Sequence, residues 1–179
     1  MTGSQGTTLL QASTLSGPNS WRIVAANDFN EDGHPDLVWQ DPVSGWAQIW
    51  YMGGPQGITI QNAATLTLRN SWHIVGSGDF NGDGHPDLLW QDPVSGTVQI
   101  WYLTGELGNQ LLSAVNLTAN SWHVVAVDDF NRDGHPDVVW QDPASGASQM
   151  WFLGGAQGIT QIGTASFSGA NPWRIVGPR

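Results

Sequence analysis

Cysteine and lysine are both missing from the 179 residues. Without cysteine there is neither a disulfide nor a thiolate metal site, and composition leaves the redox compartment open. Lys and Arg together number 5 against 15 acidic residues, for a net charge of −10. Nucleic acid and anionic membrane surfaces are bound through clustered Lys and Arg, so neither partner is expected. Apolar runs are too short to span a bilayer, and no membrane insertion is expected. Met1-Thr2-Gly3-Ser4-Gln5-Gly6 lacks the basic and apolar regions of a signal peptide. Helical spacing of apolar residues is also wanting. What remains is 40% apolar and 10% aromatic, enough for a folded core.

That content is periodic. Trp21, Trp72, Trp122 and Trp173 recur at intervals of 51, 50 and 51 residues, and a fixed period is the mark of a repeat architecture. Each period reads as four short strands. The first is Trp72 to Gly76, matched by Trp21 to Ala25 and Trp122 to Ala126. The second is Leu88 to Gln91, matched by Leu37 to Gln40 and Val138 to Gln141, rich in β-branched and aromatic residues. A turn such as Asp92-Pro93-Val94-Ser95-Gly96 leads into the third, Val98 to Tyr102, and a Gly-rich loop leads into the fourth. Four strands per period predict an all-β fold of β-propeller blades, each of four antiparallel strands, over 21–68, 72–118 and 122–168. A β-sandwich would not need equal units.

Extra strands are expected over 7–16 and 173–177, as terminal half-units. Closed propellers have four to eight blades, so three complete blades are expected to close by homo-oligomerisation, a dimer with six complete blades being the simplest count.

Between the first and second strands of each unit lies one nine-residue motif, Asp-Phe-Asn-x-Asp-Gly-His-Pro-Asp. Its copies are Asp28 to Asp36, Asp79 to Asp87 and Asp129 to Asp137. Positions 1, 3, 5, 7 and 9 are Asp28, Asn30, Asp32, His34 and Asp36; Asp79, Asn81, Asp83, His85 and Asp87; and Asp129, Asn131, Asp133, His135 and Asp137. Alternate side chains on such a turn converge on one ion, with the histidine giving its backbone carbonyl and the glycine permitting the bend. An all-oxygen donor set of flexible geometry selects Ca2+ over Mg2+, and lack of cysteine disfavours zinc. One Ca2+ per loop, three per chain, is expected as a structural ion. An EF-hand is excluded because its position 12, a bidentate Glu, falls on Trp39, Trp90 and Trp140.

This motif followed by an apolar strand resembles the FG-GAP/VCBS repeat family, which includes integrin α-subunit propellers, a fungal lectin group and many bacterial surface proteins. The resemblance spans Trp21 to Ser168. It implies a β-propeller with Ca2+ in the loop joining the first and second strands, a role in binding or adhesion, and an extracellular or cell-surface location.

Ten of the eleven tryptophans fall in three repeated columns. Packing between blades is the expected role; sugar stacking in inter-blade pockets, with Gln40, Gln91 or Gln141 as hydrogen-bond partners, is the alternative. Trp46 stands apart, since its counterparts are Thr97 and Ala147. Asp41, Asp92 and Asp142 precede proline and read as turn formers. Arg22, His73, His123 and Arg174 share one column. No unique nucleophile and base interrupt the repeat. The expectation is a non-enzymatic Ca2+-binding module with a structural, binding or assembly role and a carbohydrate or protein ligand. The alternative is a lectin.

Overall fold

A continuous run of three apolar residues, such as Leu88-Leu89-Trp90, puts apolar side chains on both faces of the second strand of each unit and calls for burial on both. The computed structural model describes residues 14, 15, 17, 20–66, 71–119 and 121–167, so the terminal strands expected over 7–16 and 173–177 fall outside them, apart from residues 14 and 15. Among the described residues there is no helix. Blade one comprises β1 (Arg22–Asn27), β2 (Asp36–Gln40), β3 (Ala47–Gly53) and β4 (Thr59–Leu66). Blade two comprises β5 (His73–Gly78), β6 (Asp87–Gln91), β7 (Thr97–Thr104) and β8 (Gln110–Ala119). Blade three comprises β9 (His123–Asp128), β10 (Asp137–Gln141), β11 (Ser148–Gly154) and β12 (Thr160–Phe167). Each blade is one antiparallel sheet with its strands in chain order, the all-β, four-strand unit predicted from the period.

All of β6 and β10 is buried. The fourth strands are the opposite, and β4 is exposed along most of its length. Burial thus falls from the middle of each sheet to its outer edge. The inner strands pack side by side, β1 against β5 and β5 against β9.

Two cores fill the joints. The first joins Phe29, Val38, Ile49 and Tyr51 of blade one to Ile74, Leu88, Trp90 and Leu103 of blade two. The second joins Phe80, Leu89, Ile100 and Tyr102 of blade two to Val124, Val138, Trp140 and Leu153 of blade three. Each blade therefore has a forward face toward the next blade and a rear face toward the previous one. Tryptophans dominate the rear faces. Trp90 and Trp101 lie 4.8 Å apart in a tilted pair, as do Trp39 and Trp50, with Trp140 and Trp151 at 5.1 Å. Such tilted aromatic pairs add about 0.5–1.5 kcal/mol beyond area burial. Packing between blades is thus the role of Trp90 and Trp140, while Trp39, also buried, belongs to neither joint.

A polar device crosses each joint. Gln40, buried at the end of β2, donates from Nε2 to the carbonyl of Trp72 at 2.8 Å and accepts at Oε1 from the amide of Ile74 at 2.9 Å. Gln91 repeats this with Trp122 at 2.7 Å and Val124 at 3.1 Å. A primary amide matches the donor and acceptor of a peptide. Each glutamine therefore imitates one residue of strand pairing across the joint.

Candidate functional site

The nine-residue loops sit between β1 and β2, β5 and β6, and β9 and β10, and each folds on its own carboxylates. In the middle loop Asp79 accepts from the amide of Asp83 at 3.0 Å and from that of Gly84 at 2.9 Å, one on each oxygen. Asn81 accepts from the same Asp83 amide at 3.0 Å, and its Nδ2 donates to Asp83 Oδ2 at 2.8 Å. Asp83 Oδ1 in turn accepts from the His85 amide at 2.9 Å. The same contacts recur around Asp28, Asn30 and Asp32 and around Asp129, Asn131 and Asp133. Positions 1 and 3 thus share the backbone amide of position 5, whose carboxylate bonds in turn to position 3 and to the amide of position 7.

The chain reaches that shape through two left-handed residues. Position 6 is Gly33, Gly84 or Gly134, with φ of 88°, 94° and 92°. An added Cβ there would meet nothing within 4 Å, so glycine is required by the dihedral and not by space. Position 4 is also left-handed, at Glu31 (57°), Gly82 (71°) and Arg132 (64°). Its varied identity hid this in the sequence.

Position 9 behaves differently from the first three donors. Asp36, Asp87 and Asp137 are the first residues of β2, β6 and β10 and are wholly buried. Asp87 Oδ2 accepts from the Phe80 amide at 3.0 Å, and its Oδ1 accepts from the Leu103 amide of β7 at 2.9 Å. Asp36 takes Phe29 and Met52, and Asp137 takes Phe130 and Leu153, in the same way. Desolvation pushes all three carboxyls up, that of Asp87 to about 7. The backbone donors oppose this, and the charges of Asp83 and Asp79 reinforce it. Position 9 is therefore within electrostatic reach of positions 1 and 5.

Every side-chain donor at positions 1, 3, 5 and 9 offers oxygen, the set suited to a hard cation. Carboxylates have about four lone-pair sites, so an oxygen that takes one amide retains capacity for an ion. Counting only His, Asp and Glu side chains, no group of three or more is gathered tightly enough to hold a metal among the described residues. The donor set is mixed, since Asn81 stands between the two aspartates.

The histidines at position 7 reach sideways. His85 Nδ1 lies 2.8 Å from Glu31 Oε1 of the preceding blade, an ion-pair distance without hydrogen-bond alignment. His135 Nδ1 lies 3.3 Å from the Phe80 carbonyl. Neighbouring loops therefore touch, which nothing in the motif spacing announced.

Other residues fall into plainer roles. Asp92 organises its turn by accepting from Ser95 Oγ at 2.7 Å and the Val94 amide at 3.0 Å, and the Ser95 hydroxyl holds its pKa down. Asp41 and Asp142 do the same with Ser44 and Ser145, the turn-forming role expected of them. Trp46 is half exposed. A surface cleft of about 360 Å³ lies between the blade-two turn and the start of blade three, edged by Asp92, Ser95, Ser121, Trp122 and His123. Trp173 and Arg174 lie outside the described residues.

Repeated four-stranded blades, each with the same acidic loop between its first two strands, define a propeller-type repeat protein. The chain belongs to the FG-GAP-like repeat family, which matches residues 28–90 and 79–140. No curated protein matches it.

Proposed function

We propose that this chain is a non-catalytic, Ca2+-stabilised β-propeller module, one ion per loop, that self-associates to complete a ring and serves in binding or assembly at an extracellular or cell-surface site. One observation carries the reading: in all three loops the side-chain oxygens of positions 1 and 3 accept from one backbone amide, that of position 5, whose own carboxylate accepts from position 3, beside a buried third carboxylate at position 9. Asp28, Asn30, Asp32 and Asp36 would hold the first ion, with the carbonyl of His34. Asp79, Asn81, Asp83, His85 and Asp87 form the second set, and Asp129, Asn131, Asp133, His135 and Asp137 the third. A bound cation would offset the mutual repulsion of three carboxylates and the desolvation of the fourth donor, position 9, stapling β1 to β2, β5 to β6 and β9 to β10. An affinity on the order of 0.1 mM, within the range of extracellular modules, would keep the sites filled in millimolar Ca2+. Calorimetric titration of chelator-treated protein is expected to give three Ca2+ per chain, and no binding at millimolar Ca2+ would overturn the reading.

The cleft beside Trp122 and the exposed Trp46 support a second reading, a lectin in which an aromatic ring and turn hydroxyls hold a neutral sugar. A glycan array read by quenching of Trp fluorescence tests it. Absence of any hit would set it aside.

A further inference from the structure

Resting on that self-association reading, we propose the surfaces through which it occurs: the rear face of blade one in a second copy docks on the forward face of blade three. The two joints within the chain show what a forward face accepts. Phe29 and Phe80 are wholly buried. Gly108 of the following blade approaches the Phe29 carbonyl, and Gly158 approaches that of Phe80, so closely that an added Cβ would overlap it. Beside each contact a tyrosine hydroxyl donates to the same loop, Tyr51 to the Leu107 carbonyl at 2.7 Å and Tyr102 to that of Gln157 at 2.5 Å.

Blade three presents the same face, yet Phe130 is 43% exposed. Its identity matches Phe29 and Phe80, and its covering loop is what differs. The complementary surface is present on blade one. Gly57 holds the left-handed conformation of Gly108 and Gly158, and Gln56 stands where Leu107 and Gln157 stand. Ile23 is 44% exposed, whereas its counterpart Ile74 is buried in the first joint. Gly17 already lies against the Trp39 ring, so the contact is made on the Ile23 and Gly57 sides of that ring. Among the described residues, both halves of one interface, each used twice inside the chain, thus remain on a single molecule. Contact between unlike faces closes into a ring when the rotation permits, and two copies give six blades, within the range of closed propellers.

The forward face of blade three differs from its internal counterparts at three core positions: Ser148 stands for Ala47 and Val98, Met150 for Ile49 and Ile100, and Phe152 for Tyr51 and Tyr102. Phe152 replaces the tyrosine, so no hydroxyl reaches the loop carbonyl and the contact is weaker than its internal models. Adding that hydroxyl should strengthen it.

Sedimentation velocity in Ca2+, across a concentration series, tests the interface with wild type, Phe152→Tyr and Ile23→Glu, the latter outside the acidic loops. The expected result is a reversible dimer, tightened about fivefold by Phe152→Tyr, the worth of one net hydrogen bond, and dissociated by Ile23→Glu with monomer melting unchanged. A dimer insensitive to both changes overturns this interface while self-association stands. A monomer at every concentration overturns self-association itself. A monomer that Ile23→Glu destabilises places the chain's own residues on that face, and likewise overturns the proposal.

Discussion

The carboxylate of Asp87 accepts the backbone amide of Leu103 at 2.9 Å, tying the end of the acidic loop to the third strand of its blade. Its other oxygen holds Phe80 at the loop's start. One buried side chain therefore fixes both the loop and the β6–β7 register, and it belongs to the blade whether or not an ion is present.

Replacing Asp87 by Ala would leave two buried amides without acceptors, at a cost of about 1–3 kcal/mol each. Asp83 is exposed and serves the loop alone. Urea unfolding in chelator is expected to show Asp87→Ala losing about 2–5 kcal/mol and Asp83→Ala under about 1 kcal/mol. Equal losses would contradict the division between a structural position 9 and ion-directed positions 1 and 5.

A pH dependence follows from the same burial. The carboxyl of Asp87 rises from 3.8 to about 7 on folding, so the folded chain holds a proton that the unfolded chain releases. Stability from this group is therefore full below 3.8 and lost as pH rises toward about 7. Asp36 and Asp137 act in the same direction. The urea midpoint in chelator should be lower at neutral pH than in mild acid. In Ca2+ the difference should shrink or reverse, because the ion favours the charged form.

Gln91 makes its two bonds to the backbone of the next blade. Gln91→Leu keeps the volume but strands a carbonyl and an amide, and should cost about 2–4 kcal/mol. The same change at Gln161, exposed on the outer strand β12, should cost under about 0.5 kcal/mol.

Arg132 bears a side chain at a left-handed position that Gly82 fills in the middle loop. Arg132→Gly should raise stability by up to about 1 kcal/mol, net of glycine's own entropy cost. Thermal melting is sufficient to detect it.

The fold was legible because its strongest signal is a period. Four strands, their order and the turn role of Asp92 all follow from tryptophan spacing and proline–glycine punctuation, and the structure differs there only at strand ends. Position 9 was harder to read. Asp87 looks like a fifth equal ligand in the motif, and only the register of β6 against β7 turns it inward onto Leu103. The glutamine clamp was missed for a related reason. Gln40 and Gln91 sit at the end of apolar strands, where a polar residue reads as a solvent-facing strand end or a ligand partner. A repeated glutamine at one register of a fully buried strand was the available signal. Contacts between neighbouring loops, such as Glu31 with His85, need the curvature of blade on blade.

Melting temperature with and without Ca2+ tests the central claim most directly. Ligand at about 100 times its dissociation constant stabilises by about 2.7 kcal/mol per site. For a chain of this size, three such sites should raise the melting temperature on the order of 10 °C or more over chelator-treated protein. Asp83→Ala should lose about a third of that gain. Identical melting in millimolar Ca2+ and in chelator would contradict a structural ion in these loops.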